Sequence, residues 1–153
     1  MAQVNAELDA RRLELRVWIR LLDCAKLIEK QLRRNFQDQF ATTLPRFDVM
    51  AALSRAPDGL SMGEISRALL VSNGNVTAIV RQLGEQRLVD IQPDAQDRRS
   101  AIVKLTPAGR ASFDDLAAAH SGWVHAALRQ FPASEQEALL PLLDRLKAAL
   151  RVD

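Results

Sequence analysis

The chain has 153 residues, 48% of them hydrophobic and 26% charged, with a formal charge of +2 from 21 lysines and arginines against 19 aspartates and glutamates. This is the make-up of one globular domain, long enough to bury roughly 70% of the surface its unfolded form exposes, and it excludes a disordered tail or a collagen-like fibre. The single cysteine, Cys24, has no partner for an internal disulfide; no secretory leader follows Met1, and the longest apolar run, Ala138 to Leu143, contains Pro141 and falls far short of a membrane span, so a cytoplasmic protein is expected.

Leu13, Val17, Leu21, Ala25, Ile28, Leu32 and Phe36 recur at spacings of three and four, which predicts one amphipathic helix over residues 8–36. Such a helix would be about 42 Å long, more than a domain of this size is wide, so part of its apolar stripe is expected to meet a second subunit. Thr43, with Pro45 just inside, opens a shorter helix carrying Phe47, Met50, Ala51 and Leu53, and Pro57-Asp58-Gly59 closes it. Ser61 and Glu64 have the spacing of a capping box, with Ile65, Ala68 and Leu69 on the buried side of the helix they start. A third start at Ser72 buries Val76, Ile79, Val80 and Leu83 and leaves Gly74, Thr77, Ala78 and Arg81 on the opposite face.

From Leu88 the period changes to two. Val89 and Ile91 alternate with polar residues, Pro93 to Arg99 is a polar turn, and Ala101, Val103 and Leu105 form the return strand of a hairpin. Thr106 and Pro107 begin another long helix, which runs through Phe113, Leu116, His120, Val124 and Leu128 to Phe131. A last helix is expected from Ser134, with Glu137 completing a second capping box, leucines at 139, 140, 143, 146 and 150, and a bend at Pro141. The fold class is mainly α with a small β hairpin. Helix, tight turn, helix and hairpin in this order make a winged helix-turn-helix, whose second helix enters the DNA major groove.

The stretches Leu60-Ser61-Met62-Gly63-Glu64-Ile65-Ser66-Arg67, Val71-Ser72-Asn73-Gly74-Asn75-Val76-Thr77, Asp97-Arg98-Arg99 and Val103-Lys104-Leu105-Thr106-Pro107-Ala108-Gly109-Arg110, in this order and spacing, resemble the MarR family of bacterial regulators. The resemblance covers nearly the whole chain. It implies a homodimer joined through helices in residues 1–40 and 107–153, with residues 41–106 as the winged lobe, bound to palindromic double-stranded DNA and released by a small molecule. Repression is the more frequent outcome in the family. A two-fold dimer places its recognition helices about 34 Å apart, so the operator is expected to be an inverted repeat.

Ser72, Asn73, Gly74, Asn75, Thr77 and Arg81 are the expected DNA contacts on the recognition helix. Free amides at the helix start attract phosphate, an asparagine amide can pair with adenine, and Arg81 suits a phosphate or a guanine edge. Ser72 also has the chemistry of a plain N-cap. In the wing, Arg98 and Arg99 could enter a narrow minor groove. The resemblance implies an Asp97–Arg99 ion pair that organises the wing, with Arg99 as brace or DNA contact. Two positions depart from the family pattern: Gln96 stands where many relatives carry arginine, and Arg87 replaces the glycine that usually ends the recognition helix, so its left-handed cap is either strained or absent.

Trp18, Phe47, His120 and Trp123 are the large side chains able to line an effector cleft, and equally able to be core. Together with the Ser72 to Thr77 run they resemble relatives that respond to aromatic acids or their coenzyme A thioesters, with Arg16 or Arg20 near the anionic group. The alternative is a thiol redox sensor through Cys24; the chain has no tyrosine to support such a thiol, and a lone cysteine on an apolar helix is ordinarily a small buried hydrophobe. No metal or other cofactor is expected: His120 and His125 lie about 140° apart around a helix, a poor chelating pair. Enzyme motifs such as a phosphate-binding loop or H-E-x-x-H do not occur. The charge is unevenly spread, with six basic and four acidic residues over 72–110 against four basic and six acidic over 111–153.

Overall fold

The computed structural model describes residues 2–151, with the backbone alone at residues 2–6, 8 and 10. The chain divides into two units, Met1–His120 and Ser121–Asp153. The first begins with α1 (Ala2–Phe40), longer at both ends than the apolar period predicts. The period registers only the apolar stripe, whereas the flanking turns, which include the good helix formers Ala2, Gln3, Ala6, Glu7, Gln37 and Gln39, do not continue it, and the pairs Arg12–Asp9, Arg33–Glu29 and Arg34–Asp38 lie along the same helix.

Next come α2 (Leu44–Ser54), β1 (Leu60–Ser61), α3 (Met62–Leu69), α4 (Asn73–Glu85), β2 (Val89–Pro93), β3 (Ala101–Leu105) and α5 (Pro107–Leu128). Thr43 caps α2 by accepting from the Arg46 amide. At Ser61 the capping box is complete: the serine Oγ accepts from the Glu64 amide at 3.2 Å, and the Ser61 amide donates to Glu64 Oε2 at 2.8 Å. That charge-assisted bond holds the Glu64 carboxyl below its ordinary pKa.

The hairpin gains a third strand. β1 pairs antiparallel with β3, Leu60 opposite Val103 and Ser61 opposite Ile102, giving the order β1-β3-β2. Two residues are too short a run for any periodicity to reveal. Gly59, at φ +92°, makes the entry: a Cβ there would stand 2.5 Å from Ile102 Cγ2. The core beneath is Phe36, Met50, Leu53, Ile65, Val76, Val80, Leu83 and Val103, all essentially without solvent contact. Val89 is buried, but Ile91 is exposed, because along β2 only the first residue lies over that core.

In the second unit α5 ends at Leu128, three residues before the Phe131 expected, and α6 (Ala133–Ala149) follows Pro132. The second capping box does not form: the helix starts one residue before Ser134, which places that hydroxyl inside the first turn, and no side chain caps the helix. The Pro132 carbonyl accepts from the Glu135 and Gln136 amides, each at 3.0 Å, while Gln136 Nε2 satisfies carbonyls at the end of α5 and in the linker, donating to Phe131 O at 2.7 Å and Leu128 O at 3.3 Å. The α6 helix continues through Pro141.

Candidate nucleic-acid interface

The turn from α3 to α4 is Leu70-Val71-Ser72. Leu70 takes a left-handed conformation at φ +55°, while the Ser66 carbonyl accepts from the Val71 amide at 3.1 Å and the Ser66 hydroxyl donates to the Val71 carbonyl. The helix following it is capped by Ser72, whose Oγ accepts from the Asn75 amide at 3.4 Å. Val76, Val80 and Leu83 bury one side, and Ser72, Asn73, Gly74, Asn75, Thr77 and Arg81 are all exposed. Thr77 Oγ1 donates to the Asn73 carbonyl at 2.9 Å, leaving its oxygen able to accept from a ligand. A Cβ built on Gly74 would meet no atom within 4 Å, so the fold of the chain gives no packing reason for glycine in this first turn.

Two arrangements hold α4 in place. Arg46 on α2 spreads its guanidinium over Thr42 Oγ1 at 3.2 Å, Gln82 Oε1 at 3.4 Å and Gln86 Oε1, with Gln82 in the last turn of α4 and Gln86 its C-cap residue. Partial burial pulls this guanidinium below the usual arginine value. At the far end the left-handed cap is present, with Arg87 in it at φ +58°. The Leu88 amide donates to Leu83 O at 3.0 Å and the Arg87 amide to Gly84 O at 2.9 Å, a full Schellman motif. Arg46 gave no signal in the sequence as a clamp on α4, since Gln82 and Gln86 are 36 and 40 positions away.

The wing tip is built by two aspartates bonding to backbone two residues on. Asp94 Oδ1 accepts from the Gln96 amide and Asp97 Oδ1 from the Arg99 amide, each at 2.9 Å, and the Asp94 amide closes on Ser100 O at 3.0 Å. Asp97 thus holds Arg99 by its main chain, and the side-chain ion pair implied by the resemblance is not made. Among the described residues the ion pairs within 4.0 Å all lie on α1, and Arg81, Arg98 and Arg99 are exposed without one.

A family model described as the MarR family matches residues 42–100, from the start of α2 to the end of the wing loop. The transcriptional activatory protein BadR of Rhodopseudomonas palustris is 34% identical over 119 residues, covering 76% of this chain and 67% of BadR. A crystal structure of a MarR family transcriptional regulator from Silicibacter pomeroyi superposes with a TM-score of 0.79 at 33% identity, over 94% of this chain and 99% of that one. The chain belongs to the MarR family. It is a DNA-binding transcriptional regulator with a winged-helix fold, and its relatives are regulators rather than enzymes. BpsR of Bordetella bronchiseptica, whose DNA binding is regulated by 6-hydroxynicotinic acid, shares the fold with a TM-score of 0.77 at 21% identity over 86% of this chain and 98% of its own.

In this MarR-family chain the six residues singled out for an effector fall in three places. Phe47, 5% exposed, stacks on His120 at 4.6 Å between ring centroids and packs on Phe36 at 4.9 Å and Phe113 at 5.7 Å, so it is core. Burial lowers the pKa of His120, which favours a neutral ring in this stack. Trp18, 57% exposed, lies on α1 with the exposed Arg16 and Arg20, and Arg20 Nη1 donates to the Arg16 carbonyl at 3.3 Å. Trp123 belongs to the second unit and is half-buried. Cys24, expected to be buried, is exposed on α1, because the inward side of this part of the helix is not covered by the chain's own core. Among the described residues no three His, Cys, Asp or Glu side chains group as a metal site, and no helix is long and apolar enough to cross a membrane.

Proposed function

We propose that the protein works in the cytoplasm as a homodimeric repressor, laying one α4 in each half-site of an inverted-repeat operator and one wing in each flanking minor groove. The observation that carries this reading is the first turn of α4. A glycine inside a helix costs about 1 kcal/mol relative to alanine, and at Gly74 nothing in the chain requires it. Close approach of another backbone does require it, and the sugar-phosphate chain is the surface that a polar helix start flanked by Ser72, Asn73, Asn75 and Thr77 fits. Arg81, Arg98 and Arg99, without an ion pair among the described residues, supply the charge.

The dimer is supported by the large apolar side chains that α1 leaves exposed, among them Leu13, Leu15, Val17, Trp18 and Ile19, and by exposed leucines 139, 140, 142, 143 and 150. A dimer spanning two half-sites covers duplex that polymerase needs, which is the ground for repression. BadR is named an activatory protein, so a promoter fusion that loses activity when the gene is deleted would reverse the sign. For the effector, the reading is an aromatic acid or its coenzyme A thioester. Exposed Arg16 and Arg20, one turn apart beside Trp18, offer charge to a carboxylate, and BpsR responds to an acid of this class. The test is anisotropy titration of duplexes from the flanking DNA, with benzoate, hydroxynicotinate and benzoyl thioester as competitors. Saturable binding to one inverted repeat at two chains per duplex is expected; equal affinity for a scrambled duplex would overturn it.

A further inference from the structure

Leu70, in the turn into α4, is 91% exposed, more than any other large apolar side chain among the described residues. A lone exposed leucine is ordinary on a protein surface. One held at φ +55° is not, because a bulky side chain is strained in the left-handed region, where glycine and asparagine are at ease. Every bond that fixes the turn would survive the change to either: the Leu70 and Val71 amides both donate to Ser66 O, and the Ser66 hydroxyl donates to Val71 O. Leu69 and Val71, on either side, line a cleft with Asn75 and Ile79 of α4, whereas Leu70 does not. Four residues on, Gly74 stands inside the helix with open space where a Cβ would be. Folding alone favours the reverse, glycine at 70 and a side chain at 74. Both positions are exposed, and they flank Ser72, the cap of the recognition helix.

We infer that Leu70 is a specificity residue, packing against the C5-methyl group of one thymine in each half-site. That methyl is the apolar group a base pair presents in the major groove, and Leu70 stands two residues, at most about 7 Å of chain, before the helix start that enters it. The bonds to Ser66 fix the backbone that carries the side chain, so little backbone freedom is lost on contact. Most of the other exposed apolar side chains lie on α1 and α6, the surfaces offered to a second subunit, whereas Leu70 lies in the winged lobe beside the polar helix start. The inference rests on the operator-binding reading above. To the polar readout by Ser72, Asn73, Asn75 and Thr77 it adds an apolar one, which distinguishes a thymine from a cytosine in the same place.

Deoxyuridine pairs as thymidine does and lacks the methyl group. In the inverted-repeat duplex bound by the parent, each symmetry-related pair of thymines is replaced in turn by uracil and the affinity measured by anisotropy. At one such pair the parent is expected to lose roughly fourfold for each half-site changed, the worth of one buried methyl. Leu70→Asn, which keeps the left-handed turn and is polar, and Leu70→Gly are expected to bind the unmodified duplex more weakly than the parent and to lose nothing further at that pair. Leu70→Met, which keeps an apolar side chain, should retain the sensitivity. Leu70→Gly should also raise the unfolding midpoint by about 2–4 °C; a lower midpoint would show that the leucine serves the fold and overturn the contact. Uracil tolerated by the parent at every position, an equal loss in the parent and in Leu70→Gly, or Leu70→Gly binding as tightly as the parent would each overturn it as well. A smaller assembly of Leu70→Gly in sedimentation would assign the leucine to a subunit interface instead. A parent that binds no duplex would overturn the function proposed above, and this contact with it.

Discussion

The hydroxyl of Thr106 donates to the carbonyl of Arg87 at 2.8 Å while accepting from the amide of Gly109 at 2.9 Å. One side chain therefore ties the end of the recognition helix to the start of α5, and the Thr106 amide adds a bond to Leu88 O at 3.1 Å. The arrangement needs a glycine at position 109, where a Cβ would stand 1.8 Å from the Leu88 carbonyl oxygen. Thr106→Val is expected to cost about 1–2 kcal/mol and Gly109→Ala at least about 2 kcal/mol, both read by chemical denaturation. Arg87→Gly should do the reverse and stabilise by about 1 kcal/mol, since glycine accepts the left-handed conformation without strain.

Gly74→Ala separates folding from function. With open space around the position, alanine should raise stability by up to about 1 kcal/mol. The same methyl group faces the DNA, so operator affinity should fall. A variant that is more stable and binds as tightly as the parent would remove the backbone-approach argument.

Arg81→Ala and Arg99→Ala are each expected to weaken operator binding by about 1–3 kcal/mol without lowering the unfolding midpoint, because both side chains are exposed and neither makes an ion pair among the described residues. Binding by the parent should weaken steeply between about 50 and 200 mM salt. Where the lost contact is to phosphate, the salt slope of the variant should drop by about 1.

Arg46 is predicted to act differently. Its guanidinium is engaged by Thr42, Gln82 and Gln86, so Arg46→Met removes the grip of α2 on α4 and not a phosphate contact. Operator affinity should fall while the salt slope stays at the parent value. A slope reduced by about 1 would show that Arg46 touches DNA directly.

Burial raises the pKa of Asp48, Glu29 adds to the shift, and Arg33 opposes it. A carboxyl whose folded value lies above its unfolded one favours the folded state at pH below the ordinary aspartate value, and that contribution is lost as pH rises through the raised value. Asp48→Asn should therefore be more stable than the parent at neutral pH, by less than about 1 kcal/mol for a half-exposed group. The gap should close as pH falls toward about 4. Thermal unfolding of both proteins across this range measures it, and a variant less stable at pH 7 would contradict the burial argument.

Local chemistry was legible wherever a residue and its partner lie within a few positions. Thr43, Ser61 and Ser72 cap the helices they were expected to cap, and Val76, Val80 and Leu83 are buried as their spacing requires. Asp97 was identified as a wing residue but by the wrong bond, since a carboxylate two residues before an amide closes a turn more readily than it holds a flexible guanidinium. Ser134 fails as a cap although Ser134 and Glu137 have the same spacing as Ser61 and Glu64, because Pro132 lets the helix begin a residue earlier.

By itself, the sequence determined the order of helices and hairpin, the polar face of α4 and its family, because periodicity and capping are local and repeat along the chain. The tertiary structure alone decided that β1 joins the hairpin, that Arg46 clamps α4, that Thr106 locks Arg87, and that Asp48 and Asn75 line one cleft. Each of these joins residues far apart in the chain, and such pairings are chosen by how the buried faces pack together, which no local pattern encodes.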